Sequence, residues 1–148
     1  MRLNLGAGNE PIIATDCINH DLAKHRAEIA VAHDLNVRPW PWKDGTFEQV
    51  LAKSVFEHLS IDLVQALDEC WRILAPGGVL YCKVPMWNAP QAYQDPQHRW
   101  RWAPGVFDYF DPDTPAGKEY SYYTPHKWQI AKRDITGTAI HVTLRVRK

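Results

Sequence analysis

Short apolar runs broken by turn residues fill the first half of the chain, and each run has the length of a strand. Arg2 to Leu5 is the first and ends in Gly6-Ala7-Gly8-Asn9. A second is expected near Ala14 to Asn19, running into His20-Asp21, and a third over Glu28 to Ala32, followed by His33-Asp34-Leu35-Asn36. Phe47 to Ala52 and Val79 to Val84 give a fourth and a fifth. Between these two the apolar spacing becomes helical: Leu63, Leu67, Trp71 and Leu74 share one face of a helix predicted over Ile61 to Leu74. Ser60 is its expected N-cap, Asp62 lies in its first turn, and Pro76-Gly77-Gly78 is its stop. Pro39-Trp40-Pro41-Trp42 is read as a loop, because each proline lacks a donor and restricts the residue before it. Trp128 to Ile135 and Ala139 to Arg147 flank Thr136-Gly137-Thr138 and predict an antiparallel hairpin at the end of the chain.

Strands alternating with helices or loops imply an α/β fold with a mainly parallel sheet, which binds ligands at the carboxyl ends of its strands. Nine residues, Ala7 to Thr15, join the first two strands. Extended, they reach about 30 Å, enough for a parallel crossover without a full helix. At 148 residues the chain is expected to form a single domain over 1–148, with no repeat or low-complexity tract. Its 45% hydrophobic and 23% charged residues exclude disordered and coiled-coil classes. Lys plus Arg (17) balances Asp plus Glu (17), which argues against a strongly basic nucleic-acid module. Six bases against one acid nevertheless fall within His126 to Lys148, where Arg145 and Arg147 alternate with Leu144 and Val146 as in a strand with one solvated face. Without an apolar span or leader the expected location is the cytoplasm, with no membrane partner. Cys17, Cys70 and Cys82 are expected as reduced, buried thiols.

Candidate chemistry collects at successive strand ends. Glycines at Gly6 and Gly8, around Ala7, permit positive φ and close approach of a ligand to the backbone. Asp21, after the second strand, suits two ribose hydroxyls, or else caps a following Leu22 to Ala27 segment. Asp34 and Leu35, after the third, suit an adenine amino group and ring, or else a turn. Ser54, Val55, Glu57 and His58, after the fourth, would border the reacting part of a cofactor. No GK[ST] loop is present, and the third position of a dinucleotide fingerprint is Pro11.

The set Leu3-Asn4-Leu5-Gly6-Ala7-Gly8-Asn9, Ile18-Asn19-His20-Asp21, His33-Asp34-Leu35-Asn36, Ser54 to Leu59 and Trp71 to Leu80 resembles the class I S-adenosylmethionine-dependent methyltransferases. Asp95-Pro96-Gln97-His98-Arg99 and His141 to Val146 look similar to a compact branch of the methyltransferase type 11 kind. The resemblance implies a minimal Rossmann-like fold and S-adenosyl-L-methionine as cofactor. It also implies that Gly6, Ala7, Gly8, Asp21, Asp34, Leu35, Ser54 and Val55 form the cofactor site, with Ser54 beside the methionine portion. The activity implied is methyl transfer to an unidentified acceptor, taken to be a small molecule rather than nucleic acid. Two other readings stay open: a non-catalytic methyltransferase-like binding module, and an NAD-dependent oxidoreductase.

Met86 to Trp128 holds 11 of the 17 aromatic residues, and residues 86–125 are expected to form a lid-like insertion. Trp87, Tyr93, Trp100, Trp102, Phe107, Tyr109 and Phe110 are its candidates for shielding a sulfonium through ring faces. An acceptor that must lose a proton has His98, Asp95 and His58 as candidate catalytic groups, His98 first. The histidines show no HExxH-like ligand spacing, so no metal is expected.

Overall fold

A computed structural model describes all residues, 1–148. Its seven strands, β1 (Arg2–Leu5), β2 (Cys17–Asp21), β3 (Ile29–Ala32), β4 (Phe47–Lys53), β5 (Leu74–Pro85), β6 (Lys127–Thr136) and β7 (Ala139–Arg147), form one sheet in the order β3-β2-β1-β4-β5-β7-β6. The first five run parallel, and β5–β7 and β7–β6 pair antiparallel. The strand order reverses at β1, which lies between β2 and β4. That reversal opens the crevice at which α/β sheets bind ligands. No helix is long and apolar enough to cross a membrane.

The link between β1 and β2 is a loop without a helix, as its length predicted. Asn19 fastens it under the sheet: its Oδ1 accepts from Ile12 N–H at 2.8 Å, and its Nδ2 donates to Ile12 C=O at 2.9 Å. Such pairing satisfies amide groups that would otherwise be buried unmet. The strand begins at Cys17 rather than near Ala14, because Ala14 to Asp16 belong to the turn that feeds it. Residues 22–27 are not helical either, so Asp21 caps no helix.

Helix α1 (Leu63–Ile73) buries Leu63, Ala66, Leu67, Cys70 and Ile73, one stripe at helical spacing. Its N-cap is Asp62, not Ser60. The Asp62 carboxylate accepts from Gln65 N–H, and the Gln65 side chain returns a bond to Asp62 N–H. Ser60 N–H is instead bound to Asn36 Oδ1 at 2.6 Å. The helix ends at Ile73, and Leu74 already pairs with Phe47, so Pro76-Gly77-Gly78 lie within the span of β5 rather than forming the helix stop.

The loop of tryptophans and prolines belongs to the core. Trp40 is 2% exposed and Trp42 packs on Phe47 and His20 at centroid distances of 5.9 and 5.4 Å. Arg72 on α1 donates to the carbonyls of Trp40 and Trp42 and pairs with Glu69 and Asp44. Trp40 Nε1 donates to Leu35 C=O at 2.9 Å, so this loop also fixes the turn after β3.

Residues 86–125 contain α2 (Gln91–Gln94), α3 (Pro115–Glu119) and two 3-10 turns. Trp102, Phe107 and Phe110 are buried, and Asp111 binds Ile130 N–H at 2.7 Å to tie the segment to β6. Trp87, Tyr93 and Tyr109 are exposed. All three cysteines are free thiols; Cys70 and Cys82 are buried, whereas Cys17, at the start of β2, is only partly so.

Candidate functional site

A cavity of about 430 Å³ opens at the carboxyl ends of β1 to β4. Gly6 and Gly8 line it, together with Asp21, Asp34, Leu35, Ser54, Val55 and His58. Thus seven of the eight residues expected to hold a cofactor face one space. Ala7 does not line it: this residue is buried, and its N–H donates to His20 C=O at 2.8 Å, which holds the glycine bend against β2. His20, His33, Asn36 and Gln97, which belong to the quoted motifs but have no site role by sequence alone, also join the wall.

Gly6 and Gly8 both adopt positive φ, at 56° and 52°. A Cβ at Gly6 would come within 2.7 Å of Val55 Cγ2, so the bend needs glycine for its conformation and for its approach to β4. Ser54 has φ of 55°, the one non-glycine residue in the left-handed region. Such a conformation costs on the order of 1–3 kcal/mol and gathers at sites where the surroundings impose it. Here Ser54 N–H donates to Lys83 C=O at 2.9 Å, and the residue borders a second cavity as well as the first.

The carboxylate of Asp21 accepts from Gly8 N–H and from Leu22 N–H, each at 2.7 Å, one on each oxygen. Each oxygen retains capacity for a second donor, which matches a pair of neighbouring hydroxyls. Asp34 accepts Asn36 N–H on Oδ1 at 2.9 Å, the turn geometry read as its alternative role, and its Oδ2 is uncommitted. Beneath the cavity His20 Nδ1 accepts from Gly6 N–H, so Nε2 carries the proton and donates to His33 C=O at 2.9 Å. Burial holds the His20 pKa below its usual value.

The second cavity, about 650 Å³, adjoins the first across Ser54 and His58. Asp95 and His98 line it, so the three candidate catalytic side chains converge here. The rings of His58 and His98 stand edge to face at 4.6 Å, and Asp95 Oδ2 is 3.7 Å from His98 Nε2. Arg99 N–H donates to Glu57 C=O at 2.7 Å and Trp100 Nε1 to Leu59 C=O at 2.8 Å, docking the 98–100 stretch on the turn after β4. Burial lowers the pKa of His58, and His98 adds to the effect.

Glu57 is completely buried in this group, and burial pushes its carboxyl pKa up to about 7, with a further rise from Asp95. By sequence alone Glu57 stands only at the border of the site. A glutamate beside a strand end looks solvated, and its burial follows from contacts with a segment far along the chain. None of the seven aromatic side chains named for shielding lines either cavity, and that segment reaches them through Gln91, Asp95, Gln97 and His98.

A family profile described as "Methyltransferase domain" matches residues 4–82, more than half of the chain. Among curated proteins none matches the sequence. A chain of the Haloferax volcanii complex containing the Trm112 methyltransferase activator superposes with a TM-score of 0.68, at 14% identity over 99% of this chain and 82% of the other. A protein of Archaeoglobus fulgidus described as a SAM dependent methyltransferase gives 0.64, at 14% identity over 97% and 85%. The [4+2]-cyclase SpnF gives 0.66, at 13% identity over 99% and 75%. At such identities these neighbours establish the fold alone, and the profile, which runs from within β1 into β5, carries the assignment. The chain therefore belongs to the methyltransferase domain family, in its class I, Rossmann-like form.

Proposed function

We propose that the chain binds S-adenosyl-L-methionine in the cavity at the ends of β1 to β4 and transfers its methyl group to a polar small molecule in the adjoining cavity. The observation that carries this reading is the convergence of Gly6, Gly8, Asp21, Asp34, Leu35, Ser54 and Val55 on one space of ligand size. Asp21 takes the two ribose hydroxyls on its free lone pairs. Asp34 accepts from the adenine amino group, Leu35 packs on the ring, and the glycine bend holds the amino-acid end. The cofactor supplies an electrophilic methyl on a sulfonium.

A lone pair on the acceptor attacks that methyl carbon, and the carbon–sulfur pair returns to sulfur, leaving S-adenosylhomocysteine. Charge disperses in this step, so alignment and exclusion of water do most of the work. An oxygen or nitrogen acceptor also loses a proton, and the group formed by His98, Asp95 and His58 handles it. The second cavity presents the polar side chains of Lys83, Gln91, Asp95, His98 and His141, which offer partners to an acceptor with hydroxyl or amine groups. The segment 86–125 acts as the lid through its polar Gln97 and His98.

Calorimetric titration with S-adenosylhomocysteine tests the cofactor half. Wild-type protein is expected to bind one equivalent. Asp21→Ala removes hydrogen bonds to a charged group worth roughly 1.5–3 kcal/mol each and should weaken binding at least tenfold. Unchanged affinity in that variant, or no binding by folded wild type, overturns the reading. With an acceptor in hand, His98→Ala should slow turnover while leaving the affinity for S-adenosylhomocysteine unchanged.

A further inference from the structure

Methyl transfer as described leaves Glu57 unexplained. It is 0% exposed, and beyond its own backbone N–H neither of its carboxylate oxygens has a hydrogen-bond partner. Burying such a group unmet costs several kcal/mol, and chains keep it where something else satisfies it. The imidazole of His98 is 9% exposed, and its Nδ1 has no partner. The ligating atoms of Glu57, His58 and His98 all lie within 4.8 Å of one another. Backbone bonds from Arg99 N–H and Trp100 N–H to Glu57 C=O hold the two contributing segments together, so the group is assembled without relying on its own side chains. Lys83 is the one cation lining the cavity, and it makes no hydrogen bond to Glu57.

We propose that Glu57, His58 and His98 form a three-ligand site for a first-row divalent transition-metal ion of the Zn²⁺ class, with its open positions facing the acceptor cavity. Two imidazoles and one carboxylate suit such ions, whereas Mg²⁺ and Ca²⁺ favour oxygen ligands. Bonds of about 2.0–2.2 Å set donor atoms about 3–3.5 Å apart, so modest side-chain rotation closes the group on an ion. Asp95, beside Nε2 of His98, leaves Nδ1 free to ligate and supplies the outer carboxylate that commonly orients a ligating imidazole. The ligands come from two separate segments, which explains the absence of any ligand spacing along the chain.

Binding of the ion stands on this geometry alone, but its role rests on the methyl-transfer reading. With the ion bound, His58 and His98 serve as ligands instead of as the base, and an acceptor hydroxyl on the ion, its pKa lowered, loses its proton to Asp95 or water.

Chelator-stripped full-length protein titrated with Co²⁺, followed by visible absorption, and with Zn²⁺ in competition, tests the site. One equivalent is expected for wild type, and His58→Ala and His98→Ala should each weaken Co²⁺ binding at least about tenfold. Glu57→Gln keeps the shape, removes the charge and should weaken it further. If that variant fails to fold, the histidine variants, which border open cavity, carry the test. Less than one equivalent bound by wild type, or wild-type affinity in both histidine variants, overturns the proposal. The same proteins are titrated with S-adenosylhomocysteine. Co²⁺ binding without nucleoside binding would sink the methyl-transfer reading and leave the ion site standing. Nucleoside binding without Co²⁺ binding would do the reverse.

Discussion

Gly6 is where residue-level constraint is sharpest, since backbone conformation and packing demand glycine independently. An alanine there would sit in the left-handed region, at about 1–2 kcal/mol, and would drive its Cβ to 2.7 Å from Val55 Cγ2, with overpacking worth a further 1–3 kcal/mol or so. Gly6→Ala is therefore expected to destabilise strongly, and Val55→Ala to relieve the packing part but not the backbone part. Urea unfolding of the two single variants and the double variant measures this coupling. An equal effect of Gly6→Ala in both backgrounds would refute the contact. Gly6, Asp21 and Asp34 were legible because each follows an apolar run, where chain order alone says what end of a strand it occupies. Glu57 was not, because its burial depends on Arg99 and Trp100 docking across the fold.

Among the elements, α1 tests how local signals compete. Ser60 and Asp62 are both good capping residues, and the sequence alone favours Ser60. The choice falls to Asp62 because Ser60 N–H is drawn to Asn36 across the site and because Gln65 completes a reciprocal pair with Asp62. Asp62→Ala should cost about 1 kcal/mol, and Ser60→Ala should stay within about 0.5 kcal/mol, both read from thermal unfolding; the reverse order would restore Ser60 as cap. The parallel strands and the hairpin were legible because strand-length apolar runs and turn residues are local signals. The role of Trp40 and Trp42 was not. Prolines mark a loop correctly but say nothing of its packing into the core, where it fixes Leu35 at the cavity wall.

Across the whole molecule the basic end of the chain is largely spent internally. Arg147 pairs with Asp111 and Asp113, Arg133 with Asp108, and Lys148 donates to the carbonyls of Arg72 and Leu74. The charge asymmetry along the sequence thus fastens the hairpin to the segment 86–125 and gives little support to a nucleic-acid face. Global stability should depend on pH through His20, whose neutral ring is clamped between Gly6 N–H and His33 C=O. Its folded pKa lies below 6.5, so the unfolded chain takes up the proton first. The stability it contributes is complete above pH 6.5 and is lost as pH falls through the folded pKa. Melting temperatures between pH 7 and 5 should fall for wild type and fall less for His20→Gln, the remainder reflecting groups such as His58. Equal slopes would contradict the clamp.

An adenosyl group gripped by the ends of β1 to β4 is the central proposal, and a crystal structure with S-adenosylhomocysteine tests it most directly. The expected result is ribose hydroxyls on Asp21, adenine between Asp34 and Leu35, and the sulfur beside Ser54 facing His58 and His98. Density for the nucleoside elsewhere, or a ligand whose sulfur points away from the second cavity, would contradict it.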